Sequence, residues 1–220
     1  MVGQTRVHPD ARQPELREVA HAGMQDAILN GDLAPGELLD EHRLEERFGV
    51  PPMVLHDALT ALTAEGLLVR GSDGGFRVTD PDPATVGDAL RTIGVLMGGV
   101  VRHTVPVLSD AGRTILCEFV ARAGDSIRRQ DARGHAQVAL ELYAALLKQC
   151  PNPVLTHLSR TSLVPLSYHY LVSIDRRELD WVKIAHSWAE LGTSFHDGDQ
   201  IRGELAIEAL HGLPEDKPGT

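Results

Sequence analysis

The sequence predicts a mostly α-helical protein in which three short helices and a small β-hairpin precede a longer all-helical region. Three observations lead there. Apolar residues recur at helical spacing over most of the chain; a β-like period replaces it only near residues 67–80; and aromatics make up just 4% of 220 residues, leaving Leu, Val, Ile and Ala to build the core. A hydrophobic content of 42% against 24% charged residues suffices for a buried core in one large domain or two small ones.

Residues 1–13 read as a polar tail. A first helix follows from Pro14 to Asn30, with Leu16, Val19, Ala20, Met24, Ala27 and Ile28 on one face, and Gly31, Pro35 and Gly36 break it. Glu41 to Phe48 makes a short helix and Gly49-Val50 a turn. Pro52 fits the first turn of the next helix, where a missing N–H costs nothing. That helix runs to about Thr63 with Val54, Leu55, Ala58, Leu59 and Leu62 at helical spacing, and Ala64-Glu65-Gly66 closes it. Leu67–Arg70 and Phe76–Val78 are β-like around the turn chemistry of Gly71–Gly75. Three helices and such a hairpin make a winged helix-turn-helix, residues 14–80. Pro81-Asp82-Pro83 reads as a linker, residues 81–83.

Six helical segments follow in residues 84–213, at roughly 84–108, 110–130, 132–149, 153–174, 178–197 and 199–212, with a tail over 214–220. Pro106 and Pro165 are expected to kink or split their helices. Gly94, Gly98 and Gly99 point to close helix packing, a dimer interface being one place for it. The N-terminal segment has no long apolar run and so no secretory signal. No stretch approaches the roughly 20 apolar residues of a membrane span; the uncharged run Thr92–Val101 is short and contains three glycines. A cytoplasmic protein without membrane contact is expected, and its two widely spaced cysteines, Cys117 and Cys150, are expected to be reduced thiols.

The net charge is −10. Residues 1–80 hold 7 Lys/Arg against 14 Asp/Glu, and residues 81–220 hold 14 against 17. A nucleic-acid-binding segment usually concentrates positive charge, because phosphate contacts supply most non-specific affinity. Here the half with the DNA-reading pattern has the opposite sign.

The run AILNGDLAPGELLDEHRLEERFGV, then ALTALTAEGLLVR and GGFRV, resembles the N-terminal winged helix of GntR-type transcription regulators. The all-helical remainder, with LLKQCPNPVL and the late Gly198-Asp199, is similar to the FadR/FCD-type effector domain. The resemblance spans about residues 14–213. It implies a cytoplasmic homodimer that binds a palindromic DNA operator, with a small-molecule effector in the helical domain changing operator affinity.

The family's recognition helix reads like S-R-x-P-V-R-E-A-L, where this chain has Pro51 to Leu59, so Pro52 and His56 stand at the two arginine positions. Arg is the residue best shaped for bidentate contact to guanine, at about 1–3 kcal/mol per contact. The candidate DNA contacts that remain are His42, Arg43 and Arg47 before the turn, Met53 and His56 on the recognition helix, and Arg70, Gly75 and Arg77 of the wing. The bland alternative pairs Arg43 and Arg47 with Asp40, Glu41, Glu45 or Glu46 on a solvated face.

Many FCD-type domains hold a divalent metal with one Asp and three His. Counted from Asn152 and from Gly198-Asp199, those positions fall on Ala139, Tyr143, Trp188 and Leu210, which cannot make that site. Asp131-x-x-x-His135 has the right internal spacing about two turns too early, and His186 and His211 lie near the later positions, so a displaced site would use those four. The expectation is no metal and no cofactor, with Tyr143 and Trp188 lining a cavity beside Leu140 and Leu210, or else simply filling the core. His157, Arg160, His169 and Tyr168 share one long helix; the resemblance implies that such residues help hold a carboxylate effector, and a solvated face is the alternative. The effector pocket is therefore assigned to Tyr143, His157, Arg160, His169 and Trp188.

No G-x-S-x-G, phosphate loop, H-E-x-x-H or C-x-x-C occurs, so the chain is not read as an enzyme. The second functional reading is a degenerate family member that has lost operator binding and acts as a ligand-binding or protein-interaction dimer.

Overall fold

The computed structural model describes residues 13–72 and 74–213. The expected tails lie outside the described residues, except that Gln13 already opens the first helix. The chain divides into two compact units between Pro81 and Asp82. Asp82 accepts a hydrogen bond from the Ala84 N–H and opens a 3-10 turn, Pro83–Thr85.

The first unit contains α1 (Gln13–Asn30), α2 (Glu41–Phe48), α3 (Pro52–Ala64), β1 (Leu68–Arg70) and β2 (Phe76–Val78). Asp40 caps α2 by accepting from the Arg43 N–H, and Gly49 ends it at φ 62°, a left-handed conformation that favours glycine. Val54, Leu55, Ala58, Leu59 and Leu62 of α3 are all buried, packed with Ala20, Met24, Ala27 and Ile28 of α1. Val19, expected on the same face, is 62% exposed. Strands β1 and β2 pair antiparallel, Leu68 opposite Val78 and Arg70 opposite Phe76. The segment expected only to break the first helix does more. Leu38 bridges Arg77, and the Leu39 N–H donates to the Phe76 carbonyl oxygen at 2.8 Å, so it forms a third edge of the hairpin sheet.

The second unit contains α4 (Val86–Thr104), α5 (Asp110–Arg128), α6 (Ala132–Gln149), α7 (Pro153–Ser173), α8 (Trp181–Asp197) and α9 (Gln200–Leu210). Pro106 sits in a 3-10 turn that ends α4, whereas α7 continues through Pro165. The expectation that no stretch approaches a membrane span needs correction. Pro83–Val107 is long and apolar enough by composition, yet α4 is the central core helix, packed on α9 and α7 with Ile93, Met97, Val100 and Val101 buried. Gly94 and Gly98 serve this packing within the chain. A Cβ on Gly94 would lie 2.9 Å from the His211 Cβ, and one on Gly98 3.2 Å from the Glu208 Cγ. Cys117 and Cys150 are free thiols.

Asp199 caps α9 by accepting from the N–H groups of Ile201 and Arg202. Asp199→Ala is expected to lower the stability of this unit by about 1 kcal/mol. Both tryptophans of the chain lie in α8, so urea unfolding followed by fluorescence reads the effect.

Candidate nucleic-acid interface and ligand cavity

Burying one side of α3 leaves Met53, His56, Asp57 and Thr60 on the other, with Met53 68% exposed. No cation lies on that side, but the hairpin delivers one. Arg70 Nη2 sits 3.4 Å from His56 Nε2, and the guanidinium lies 4.5 Å above the centre of the Phe76 ring. His56 meets the same ring edge-on at 5.6 Å. Arg70 and His56 are separate candidates in the sequence; the strand register that places Arg70 opposite Phe76 brings them together.

The other candidates differ in availability. Arg43 is exposed, and no ion pair joins it to a described residue. Arg47 pairs with Asp32 at 3.2 Å and lies over the Phe48 ring, so its acid is fifteen residues away and not a neighbour on α2. His42 is the residue facing the α2 acids, 3.8 Å from Glu45 and 3.6 Å from Glu46. Arg77 donates to the Gly36 carbonyl oxygen, and half-buried Gly75 accepts from the Gly71 N–H at 2.8 Å. Arg43 and Arg70 are thus the two guanidinium groups of the set with no carboxylate partner among the described residues and no short loop bond; the Arg70 hydrogen bond to the Gly74 carbonyl oxygen is a long 3.5 Å, whereas Arg47 is paired with Asp32 and Arg77 is bonded to Gly36.

The second unit encloses a cavity of about 330 Å³, lined from α4, α6, α7, α8 and the end of α9. Of the five expected pocket residues only Tyr143 lines it. His157 and Arg160 line a separate shallow groove beside Cys150, and His169 Nδ1 lies 3.1 Å from the Thr85 hydroxyl. Trp188 stands behind the cavity wall, its indole N–H donating to His135 Nε2 at 2.8 Å. His135, His211, Leu140 and Leu210 do line the cavity.

Two buried polar pairs form its inner wall. An indole N–H can only donate, so His135 Nε2 accepts and its proton belongs on Nδ1. His211 Nδ1 lies 2.8 Å from the Ile207 carbonyl oxygen, which fixes the N–H there, and Nε2 then accepts the Tyr143 hydroxyl at 3.0 Å. Burial, then the nearby His211, pushes His135 down to about 4, and burial pushes His211 down to about 4 against the opposing Ile207 hydrogen bond. Burial raises the Tyr143 phenol. All three groups are neutral near pH 7.

Around the mouth stand Arg91, Arg177 and Lys183 with Glu178 and Asp180, and Arg91 is bonded to Asp88. Asp131, first in the displaced metal set, instead caps α6 by accepting from the Gly134 N–H. His186 is exposed in a different hollow beside Glu190 and Arg202. Among the described residues no three His, Cys, Asp or Glu are grouped to hold a metal ion.

The sequence model of the gntR family of bacterial regulatory proteins matches residues 8–78, so this segment carries a GntR-family helix-turn-helix domain. The whole chain is similar to the solved structure of Escherichia coli McbR/YncC, with a TM-score of 0.75 at 16% identity over 89% of this chain and 93% of that one. It is also similar to a Rhodococcus sp. RHA1 structure described as a GntR transcriptional regulator, with a TM-score of 0.65 at 18% identity over 90% and 96%. At these identities the likeness shows a shared fold.

Proposed function

We propose that this protein is a cytoplasmic, homodimeric transcription regulator that binds a palindromic operator through α3 and the hairpin. Its helical unit holds a small-molecule effector without a metal. The observation that carries the DNA reading is the Arg70–His56–Phe76 cluster. In a GntR-type domain whose reading helix has no cation, it brings a guanidinium from the hairpin beside that helix. The metal-free reading is supported by the occupied acceptor nitrogens: His135 Nε2 takes the Trp188 N–H, and His211 Nε2 takes the Tyr143 hydroxyl. A metal would need those lone pairs.

The second reading, a dimer that has lost operator binding, is favoured by two specific features. Asp57 is the charged residue on the exposed side of α3, and His42 leans on two carboxylates.

Binding to duplex DNA from the protein's own upstream region across a salt series separates the two. With Arg43 and Arg70 from each subunit on phosphates, about four contacts per dimer give a log–log salt slope of about −3 to −4. Arg43→Ala is expected to flatten that slope by about 2, two contacts being lost per dimer. A slope near zero with no preference over random duplex would sink operator binding and leave the second reading.

A further inference from the structure

We propose that the helical-unit cavity takes an uncharged, largely apolar small molecule whose single carbonyl-type acceptor seats on the Nδ1–H of His135. The inference rests on reading this cavity as the ligand site and adds the chemical class of the ligand. His135 is 6% exposed, and its Nδ1 is buried without a hydrogen-bond partner. A buried donor left unpaired is costly, and a ligand oxygen supplies what the wall lacks. Nδ1 has essentially no exposed surface, so the ligand oxygen reaches it only as neighbouring lining side chains shift aside.

The wall cannot readily become cationic to meet an acid. Protonating His135 places a proton on Nε2, directly against the Trp188 N–H. Protonating His211 sets its Nε2–H against the Tyr143 hydroxyl, which must then turn its own proton elsewhere. The cations among the lining residues stand with the acids at the mouth; Arg177, Glu178, Asp180 and Lys183 are all exposed. A carboxylate pushed to the inner end loses its water and gains no counter-charge, whereas a carbonyl oxygen has no charge to desolvate and meets a neutral donor. Ile93, Leu140 and Leu210 supply apolar walls for the rest of the molecule.

Trp181 and Trp188 both lie edge-on to the His135 ring, at centroid distances of 6.0 and 5.9 Å, so intrinsic fluorescence reads this wall directly. The probes are methyl hexyl ketone and heptanoate, which differ only in a methyl group against an oxygen anion, titrated at about pH 8 with and without EDTA. The ketone is expected to bind saturably and about tenfold more tightly than heptanoate, with no effect of EDTA. His135→Phe is expected to erase most of that preference. Leu140→Phe, which crowds the wall without touching the donor, should weaken both probes together and serves if the first variant folds poorly. Equal or tighter binding of heptanoate, ketone binding abolished by EDTA, or no ketone binding overturns the proposal. Duplex binding by the same preparation is scored separately, so a failure here is distinct from a failure of the regulator reading.

Discussion

Lowering the pH from 7 to 4 is expected to strip several kcal/mol of stability from the helical unit, most of it through His135 and His211. Both imidazoles have folded-state values near 4 against an ordinary 6.5. Between those values the unfolded chain binds more protons than the folded one, so stability falls as pH falls. The contribution is fully present above about 6.5, is lost progressively down to about 4, and changes no further below that. A depression from 6.5 to about 4 corresponds to about 3 kcal/mol per group. The two do not simply add, because part of the His135 shift is repulsion from His211.

The structural origin of the loss is visible in the two pairs. An imidazolium at His135 opposes the Trp188 N–H, so the same proton that charges the ring breaks the bond that seats it. Urea midpoints followed by tryptophan fluorescence should fall steadily between pH 6.5 and 4. The double variant His135→Gln, His211→Gln should flatten the decline. Glu141 and Asp175 are held below the ordinary carboxylate range, first of all by hydrogen bonds from Arg122 and Arg133. Those exposed pairs act only at the acid end, below the ordinary carboxylate values. A wild-type midpoint unchanged between pH 7 and 4.5 would show that neither histidine is neutral in a closed wall.

Local periodicity made much of this fold readable. The five apolar positions of α3 recur at helical spacing, and all five are buried; the bounds of α2 follow from a cap residue before it and a glycine after it. What local pattern does not carry is pairing across the chain. Leu38 and Leu39 read as the end of a loop because their hydrogen-bond partners lie about forty residues on, in β2. Arg47 sits among four acids on or beside α2 but reaches Asp32, which no helical spacing encodes.

The pocket assignment shows the same limit. His157, Arg160 and His169 share α7, yet a helix rises 1.5 Å per residue, so His169 lies about 18 Å beyond His157. One helix therefore serves a groove at its start and the Thr85 contact near its end, and neither is the cavity. His135 and His211 are legible in the sequence only as members of a displaced metal set, and their roles depend on Trp188 and Tyr143, 53 and 68 residues away in sequence.

Replacing Phe76 is expected to separate the stability of the first unit from the placement of its reading groups. Phe76 is fully buried, and its ring touches both Arg70 and His56. Phe76→Ala removes a large core side chain and is expected to cost about 3–5 kcal/mol, enough to abolish amide-exchange protection in α1 and α3. Phe76→Leu keeps most of the buried apolar volume and should cost under about 1.5 kcal/mol. It nevertheless deletes the ring beneath the guanidinium, a stacking contact worth about 0.5–1 kcal/mol at an exposed site. Arg70 then retains only its 3.4 Å approach to His56 and a long 3.5 Å hydrogen bond to the Gly74 carbonyl oxygen. The Leu variant should therefore fold normally, keep the salt slope of the parent, since no charge is removed, and lose several-fold in preference for its own upstream duplex over random DNA. A Leu variant with full sequence preference would show that Arg70 reaches DNA without help from the ring.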